Sequence, residues 1–286
     1  MVNNYYNYLR HMLKNSGLKL KKRLGQHFLA DLDALKKIAD AFDNSISDSV
    51  IEIGTGIGNL TILLAEKFKR VYTIELDRRF ANLHKNIQRK FENIHFIYAD
   101  AMRFPYDELI RLNCLERVSI GGNIPYSITS PLLYSLLKKR LPFKEIIFLV
   151  QEDVAKRINS EPGSKVYGVL SVTVQYYGEP KILFRIDKEK FFPPPKVSSA
   201  LIKIKLKSEF PVNYEEEQIF FDIVNASFAQ RRKQLANSII NSGKVQIDKS
   251  QLLKCLERAN IDPKRRAETL SVTEFIRLLK EINKTI

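Results

Sequence analysis

Short runs rich in β-branched residues recur through the first half of the chain, at residues 50–53, 71–74, 94–98, 118–120 and 146–150, with helical patterns between most of them. β-Branched side chains are stiff at χ1 and pack well on a pleated surface, so each run predicts a buried strand. Parallel neighbours need a crossover of a dozen or so residues, and right-handed helical crossovers put helices on both faces of one open sheet. The chain is therefore expected to be α/β and Rossmann-like, with ligands collecting at the carboxyl ends of the strands.

Residues 181–186 and 198–206 alternate apolar and polar side chains on either side of Phe191-Phe192-Pro193-Pro194-Pro195-Lys196, which predicts a terminal hairpin-like pair. Beyond Ser208 the pattern turns helical, over 215–228, 231–240, 249–259 and 272–282, and predicts a small C-terminal α-helical domain. The boundary falls near Lys207, where strand alternation stops and Ser208-Glu209-Phe210-Pro211 follows. The expected organisation is an N-terminal extension over 1–17, a sheet domain over 18–207 and a helical domain over 208–286. For the extension, with Tyr5, Tyr6 and Tyr8, three readings stay open: disorder, packing on the helical domain, or a start upstream of the folded part.

The net charge is +15, and its placement says more than its size. Residues 1–30 carry six lysines and arginines and no acid, residues 188–286 carry nineteen against twelve, and the stretch between is nearly balanced. Two basic ends on a balanced centre favour a polyphosphate partner through counterion release, although a moderate basic excess also serves solubility. With 286 residues, 44% of them hydrophobic, the chain buries a sizeable core. No apolar run approaches the roughly 18–20 residues of a membrane span, and residues 1–22 lack the apolar centre of a secretory signal, so a soluble, cytoplasmic protein is expected. Cys114 and Cys255 form no CxxC pair, which argues against a disulfide framework or a zinc site and predicts two reduced, buried thiols.

Ile51-Glu52-Ile53-Gly54-Thr55-Gly56-Ile57-Gly58-Asn59 runs from a strand through a glycine loop into a helix. Such a loop lets the backbone approach a ligand while the helix start offers it unpaired N–H groups. Asn59 stands where a dinucleotide phosphate loop needs its last glycine, which favours a cofactor without a pyrophosphate and disfavours a nicotinamide-dependent dehydrogenase. Glu75 ends the next strand, twenty-one residues after Gly54, where a carboxylate accepts both ribose hydroxyl protons. The other reading of Glu75 is a helix N-cap, a place Asp77 fills more naturally. Asp100 closes the third strand and is suited to accept a bond from an adenine amino group, though an isolated acid at a strand end needs no function. Three such features at successive strand ends are harder to dismiss than any one of them.

Gly121-Gly122-Asn123-Ile124-Pro125-Tyr126 follows the fourth strand. An adenine amino nitrogen is a poor nucleophile because its lone pair is delocalised into the ring. The Asn123 side-chain oxygen and the Ile124 carbonyl are suited to accept its two protons, across the turn set by Pro125, while Tyr126 stacks on the ring. A proline turn with a satisfied asparagine is the plainer reading.

On these residues the chain resembles the ribosomal RNA adenine dimethyltransferase family, whose bacterial small-subunit member carries an N-[LI]-P-Y motif after the fourth strand. The likeness begins at Lys22-Arg23-Leu24-Gly25-Gln26-His27-Phe28-Leu29, similar to the family's GQ[NH]FL segment, and His27 stands where many relatives carry Asn. It implies a class I S-adenosylmethionine-dependent methyltransferase domain. By resemblance, His27 and Leu29 contact S-adenosylmethionine, Gly54 and Gly56 line its amino-acid end, Glu75 holds the ribose, Asp100 reads the adenine, and Asn123 faces both cofactor and target. Residues Phe191 to Val197 resemble the family's F-x-P-x-P-K-V stretch, which sets Phe191 against a flipped-out base opposite Tyr126. The alternative is that Phe191 and Phe192 are core.

Ser227-Phe228-Ala229-Gln230-Arg231-Arg232-Lys233-Gln234-Leu235 is similar to the housekeeping, small-subunit branch of the family, as is Arg266-Ala267-Glu268-Thr269-Leu270. The resemblance implies 16S rRNA in the small ribosomal subunit or its precursor as partner. It further implies methyl transfer to the N6 amines of two adjacent adenines near the 3′ end, late in subunit assembly, by a monomer that uses no metal. Arg231, Arg232 and Lys233, expected at a helix start where they oppose the macrodipole, are assigned to phosphate contacts, together with Lys21, Lys22 and Arg23. A solvated basic face is the alternative for both clusters. Two rival functions remain: a large-subunit 23S rRNA adenine methyltransferase of the macrolide-resistance type, and a noncatalytic RNA-binding or transcription factor on the same scaffold. The intact Glu75, Asp100 and Asn123-Ile124-Pro125-Tyr126 set argues against the second.

Overall fold

The computed structural model describes residues 2–15, 20 and 25–285, so Lys21, Lys22 and Arg23 lie outside the described residues. The chain begins with α1 (Val2–Asn15), β1 (Phe28–Leu29), α2 (Leu32–Ala41), β2 (Ser49–Ile53), α3 (Asn59–Ala65), β3 (Arg70–Glu75) and α4 (Ala81–Gln88). It continues through β4 (Ile94–Tyr98), α5 (Tyr106–Leu112), β5 (Val118–Asn123), α6 (Thr129–Lys138), β6 (Phe143–Gln151), α7 (Glu152–Ile158) and α8 (Val169–Tyr177). The last elements are β7 (Gly178–Ile186), β8 (Phe191–Phe192), β9 (Ser199–Leu206), α9 (Tyr214–Phe228), α10 (Leu235–Ser242), α11 (Lys249–Arg258) and α12 (Val272–Asn283).

Seven strands form one sheet in the order β4-β3-β2-β5-β6-β9-β7. β2 pairs in parallel with β3 and β5, β3 with β4, and β5 with β6, while β9 runs antiparallel to β6. Every residue of β2 is buried, as helices on both faces of a parallel sheet require, and Glu52 alone breaks its apolar run of Val50, Ile51 and Ile53. From β2 the chain moves outward to β3 and β4, then returns to lay β5 on the other side of β2. Loops leaving β2 and β5 therefore part in opposite directions and open a crevice between them. Gly122 lets the two strands close beneath it. At φ +143°, a Cβ there would lie 2.3 Å from the Ile53 carbonyl oxygen.

Two compact units divide the chain, one of residues 1–155 and 180–206, the other of 156–179 and 207–286. The sheet domain expected over 18–207 is thus interrupted, because 156–179 joins the C-terminal helices. The reason lies in α8. Its Tyr176 and Tyr177 are buried with Phe210, Phe220 and Phe221, and both phenols donate to the buried carboxylate of Glu217, Tyr176 at 3.3 Å. Large aromatics of this kind dominate a core, and their hydroxyls need partners there. Reciprocal capping boxes, Asn213 with Glu216, Asp248 with Gln251 and Ser271 with Glu274, start α9, α11 and α12. α10 starts only at Leu235, so Arg231, Arg232 and Lys233 occupy the turn after α9 and not a helix start, which removes the argument from the macrodipole.

Residues 2–15 of the N-terminal extension form a helix that belongs to the sheet unit, contrary to the disordered reading. Tyr5, Leu9 and Leu13 recur at a four-residue spacing that lines up one face, and Leu9 and Leu13 are buried with Phe28, Ile57 and Phe80. Cys255 is buried, but Cys114 is exposed, held at φ +50° in the turn that ends α5. Among the described residues no helix is long and apolar enough to cross a membrane.

Candidate active site

The carboxyl ends of β2, β3, β4 and β5 border a cleft of about 300 Å³. It collects most of the residues singled out above. Gly54 and Gly56 form one wall, Glu75 and Asp100 the next, and Asn123, Ile124, Pro125 and Tyr126 the side toward β5. His27 reaches it from the strap between α1 and β1.

Glu75 sits at the floor, 8% exposed. Its Oε2 accepts the Gly56 N–H at 2.8 Å and its Oε1 accepts the Asp77 N–H at 2.7 Å. Each oxygen keeps a further lone pair, so the carboxylate is positioned by backbone and still able to accept two hydroxyl protons. Burial pushes its pKa up, and the two backbone N–H groups oppose that. Asp77 takes the capping role, accepting Arg79 N–H at 3.2 Å, which leaves Glu75 free of it. The Arg79 guanidinium, 2.5 Å from Asp77, holds that carboxyl well below the usual range. One residue inside the glycine loop's strand, Glu52 is fully buried, and burial pushes it up to about 8. Burial thus favours its neutral form, and its carboxyl accepts the Thr61 hydroxyl at 2.5 Å. Asp100 is exposed, with Oδ1 bound to the Met102 N–H at 2.9 Å.

Asn123 Nδ2 donates to the His27 carbonyl at 2.9 Å. A carbonyl accepts and never donates, so this bond fixes the amide orientation and turns Oδ1 away from the strap. His27 Nδ1 lies 2.7 Å from the Pro193 carbonyl, so that nitrogen carries the proton. The His27 ring stacks with Tyr126, centroids 6.0 Å apart, and the Tyr126 hydroxyl meets Ser199 Oγ at 2.7 Å. Tyr126 is thus held by one ring face and its oxygen, and it is half-buried.

Two assigned residues do not face this cleft. Phe191 is 1% exposed and packs in the core with Leu29, Leu35 and Ile38, so the core reading holds for it, and it offers no open face to a base. The cause is β1–β8 pairing, where Leu29 lies opposite Phe191 and both turn inward. Leu29, 4% exposed, lies behind the glycine loop and not in the cleft. In the helical unit, the Arg231 guanidinium donates to the carbonyls of Lys165 at 2.7 Å and Tyr167 at 3.3 Å and faces Glu268 at 3.4 Å, so part of its role is to tie that unit together. Arg232 and Lys233 are exposed.

Other residues escaped the sequence reading. Gln26 Nε2 donates to Asp77 at 2.9 Å and pins the strap, and Phe28 and Phe80 form an aromatic wall of the cleft. Gly56, at φ +54°, is obligatory there because a Cβ would come within 2.8 Å of the Phe28 ring. His84 is buried with Nε2 2.8 Å from the Gly56 carbonyl and Nδ1 2.8 Å from the Tyr98 hydroxyl, which puts its proton on Nε2. Burial pushes its pKa down, so it is neutral and braces the loop from behind. Gln26 and Phe28 lie in the quoted GQHFL string, whereas Phe80 and His84 carry no local signal. Among the described residues no group of three or more His, Cys, Asp or Glu is placed to hold a metal ion.

This arrangement fits a nucleoside-bearing cofactor: acceptors for ribose at Glu75, an acceptor for an amino group at Asp100, and apolar Ile74, Leu76 and Phe80 between them. The family model for ribosomal RNA adenine dimethylases matches residues 17–284. A ribosomal RNA small subunit methyltransferase A from Clostridium botulinum is 41% identical over 260 residues, covering 91% of this chain and 93% of that protein. Among solved structures, a dimethyladenosine transferase from Plasmodium falciparum superposes with a TM-score of 0.76 at 27% identity, over 90% of this chain and 98% of that one. The 23S rRNA methyltransferase ErmE shares the fold at a TM-score of 0.69 and 20% identity, over 90% and 99%. Matched by the family model over residues 17–284 and by a relative 41% identical over 91% of its length, the chain belongs to the ribosomal RNA adenine dimethylase family, enzymes whose methyl donor is S-adenosylmethionine.

Proposed function

We propose that this protein dimethylates N6 of two adjacent adenines near the 3′ end of 16S rRNA, in the small ribosomal subunit or its precursor, acting as a cytoplasmic monomer. The orientation of Asn123 carries the reading. Its Nδ2 is committed to the His27 carbonyl, which leaves Oδ1 to accept a hydrogen from an amine entering beside Glu75 and Asp100. The Ile124 carbonyl accepts the second hydrogen, and the amine nitrogen moves toward tetrahedral geometry with its lone pair localised. Tyr126, held by His27 and Ser199, supports the base ring. S-adenosylmethionine supplies an electrophilic methyl group on a sulfonium. Because the amine gains its nucleophilicity from geometry, no residue has to act as a strong base, and the chain contributes chiefly by positioning. Arg232 and Lys233, with Lys21, Lys22 and Arg23, supply phosphate contacts, and Arg231 shares that role with its internal bonds.

The small-subunit target is supported by the name of the 41%-identical relative, a ribosomal RNA small subunit methyltransferase A, whereas the 23S rRNA methyltransferase shares only its fold with this chain, at 20% identity. Incubation with S-adenosylmethionine and small subunits from cells lacking the modification, followed by mass spectrometry of the RNA, tests it. Dimethyladenine near the 3′ end of 16S rRNA is expected. Methylation of naked 23S rRNA with none on the small subunit would overturn the target.

A further inference from the structure

The helix α1 precedes the region that the family model matches, 17–284, and no role in the site described so far depends on it. Its position is nevertheless specific. Leu9 is completely buried and Leu13 is 3% exposed, in one cluster with Phe28, Ala30, Ile57 and Phe80. Phe28 and Phe80 are the aromatic wall of the cleft, and the buried face of α1 joins the same cluster away from the cleft. The two rings meet edge to face at 5.9 Å, and the Phe28 ring lies against Gly56. At its other end, Tyr6 meets Phe192 edge-on at 5.5 Å, on the strand paired with Phe28.

Pairing with β8 sets which side of the ribbon Phe28 takes, but it does not set the angle of its ring. β1 and β8 are two residues each and form a ribbon separate from the seven-stranded sheet. Hydrogen bonds at Gln26 and His27 hold the backbone just before β1, and side-chain packing sets where the Phe28 ring rests. Removing Leu9 would leave a void behind two rings, into which they relax.

We propose that α1 is part of the cofactor-binding machinery: it buries Leu9 and Leu13 behind Phe28 and Phe80 and so holds the cleft wall in the shape that receives S-adenosylmethionine. This deepens the functional reading above and rests on the cleft being the cofactor site. Leu9 and Leu13 are positioning residues, since neither lines the cleft.

The double variant Leu9→Ala/Leu13→Ala tests it by calorimetry with S-adenosylhomocysteine. About a tenfold rise in Kd is expected, with the same rise in KM for S-adenosylmethionine and kcat at saturating donor within about twofold, because the void weakens ground-state binding rather than the transfer step. A lower melting temperature with unchanged Kd would reduce α1 to ordinary packing and overturn the proposal. Coupling is reciprocal, so the wild-type protein provides a second measurement that does not depend on the variant's folding. Saturating S-adenosylhomocysteine should slow hydrogen exchange of the α1 amides by about tenfold, and protection of residues 25–30 with none in α1 would overturn it as well. Wild-type affinity for S-adenosylhomocysteine separates the two readings: without it the cleft assignment itself fails, and with it only the role of α1 is in question.

Discussion

The cleft of the sheet unit and the basic turn of the helical unit both use charged and polar side chains, but they hold them in opposite ways. At the cleft, Glu75 is buried, bound by two backbone N–H groups, and left with defined lone pairs, and Asn123 is oriented by a single carbonyl. Glu75 is buried there, so an oxygen of it left unmatched costs about 1–3 kcal/mol and a small ligand is read atom by atom. On the turn after α9, Arg232 and Lys233 stand in solvent, and Arg231 is half committed to carbonyls of its own unit. Charges of that kind attract a polyanion without reading it, at a strength set by salt. If the proposed function holds, the comparison teaches that chemical selectivity belongs to the sheet unit and that the helical unit would add affinity.

Asn123→Ala would break this contrast most severely. Losing an oriented acceptor at the reacting nitrogen should lower kcat by at least about a hundredfold, with the donor Kd within a few fold, and near-normal methylation of small subunits would remove Asn123 from the reaction. Glu52 sharpens the point about buried charge. Folding raises its pKa from about 4.5 to about 8, so its contribution to stability is fully present below pH 4.5 and is lost as pH rises through 8. Glu52→Gln keeps an acceptor for Thr61 and cannot ionise, so between pH 5 and 8 it should gain on the wild type by about 1.4 kcal/mol per pH unit in urea denaturation. Parallel stability curves for the two proteins would show that Glu52 is charged in the fold.

Glu75→Gln places an N–H pair against the N–H of Gly56 or Asp77, and the donor Kd should rise about 10- to 100-fold, read by calorimetry. An unchanged Kd would move the ribose elsewhere. The smallest effect belongs to the helical unit. Arg232→Ala with Lys233→Ala should weaken subunit binding by a few fold and lower the slope of log K against log salt by about one per lost contact, leaving donor affinity alone. A slope identical to the wild type's would make the pair a solvated face.

Much of the cleft was legible because parallel strands announce themselves and topology then decides where their ends go. The runs at 50–53, 71–74 and 118–120 place Gly54, Glu75 and Asn123 at three carboxyl ends, and the order β3-β2-β5 brings those ends side by side. Phe191 was misread because motif position does not say which face of a two-residue strand turns inward. Arg231 was read as a free cation because its acceptors, the carbonyls of Lys165 and Tyr167, lie more than sixty residues away. The segment 156–179 was placed in the wrong unit because the partners of Tyr176 and Tyr177 follow the intervening strands β7 and β9.

By itself, the sequence determined the parallel strands and put Glu75, Asp100 and Asn123-Ile124-Pro125-Tyr126 at the strand ends that border the cleft, since each placement depends on local periodicity or on residue type at a strand end. Only the tertiary structure decided that α1 backs the cleft wall, that Glu52 is buried, that Phe191 is core and that α8 belongs with the C-terminal helices. Those outcomes depend on burial, which is a property of what packs against a residue from far along the chain, and no spacing within a segment encodes it.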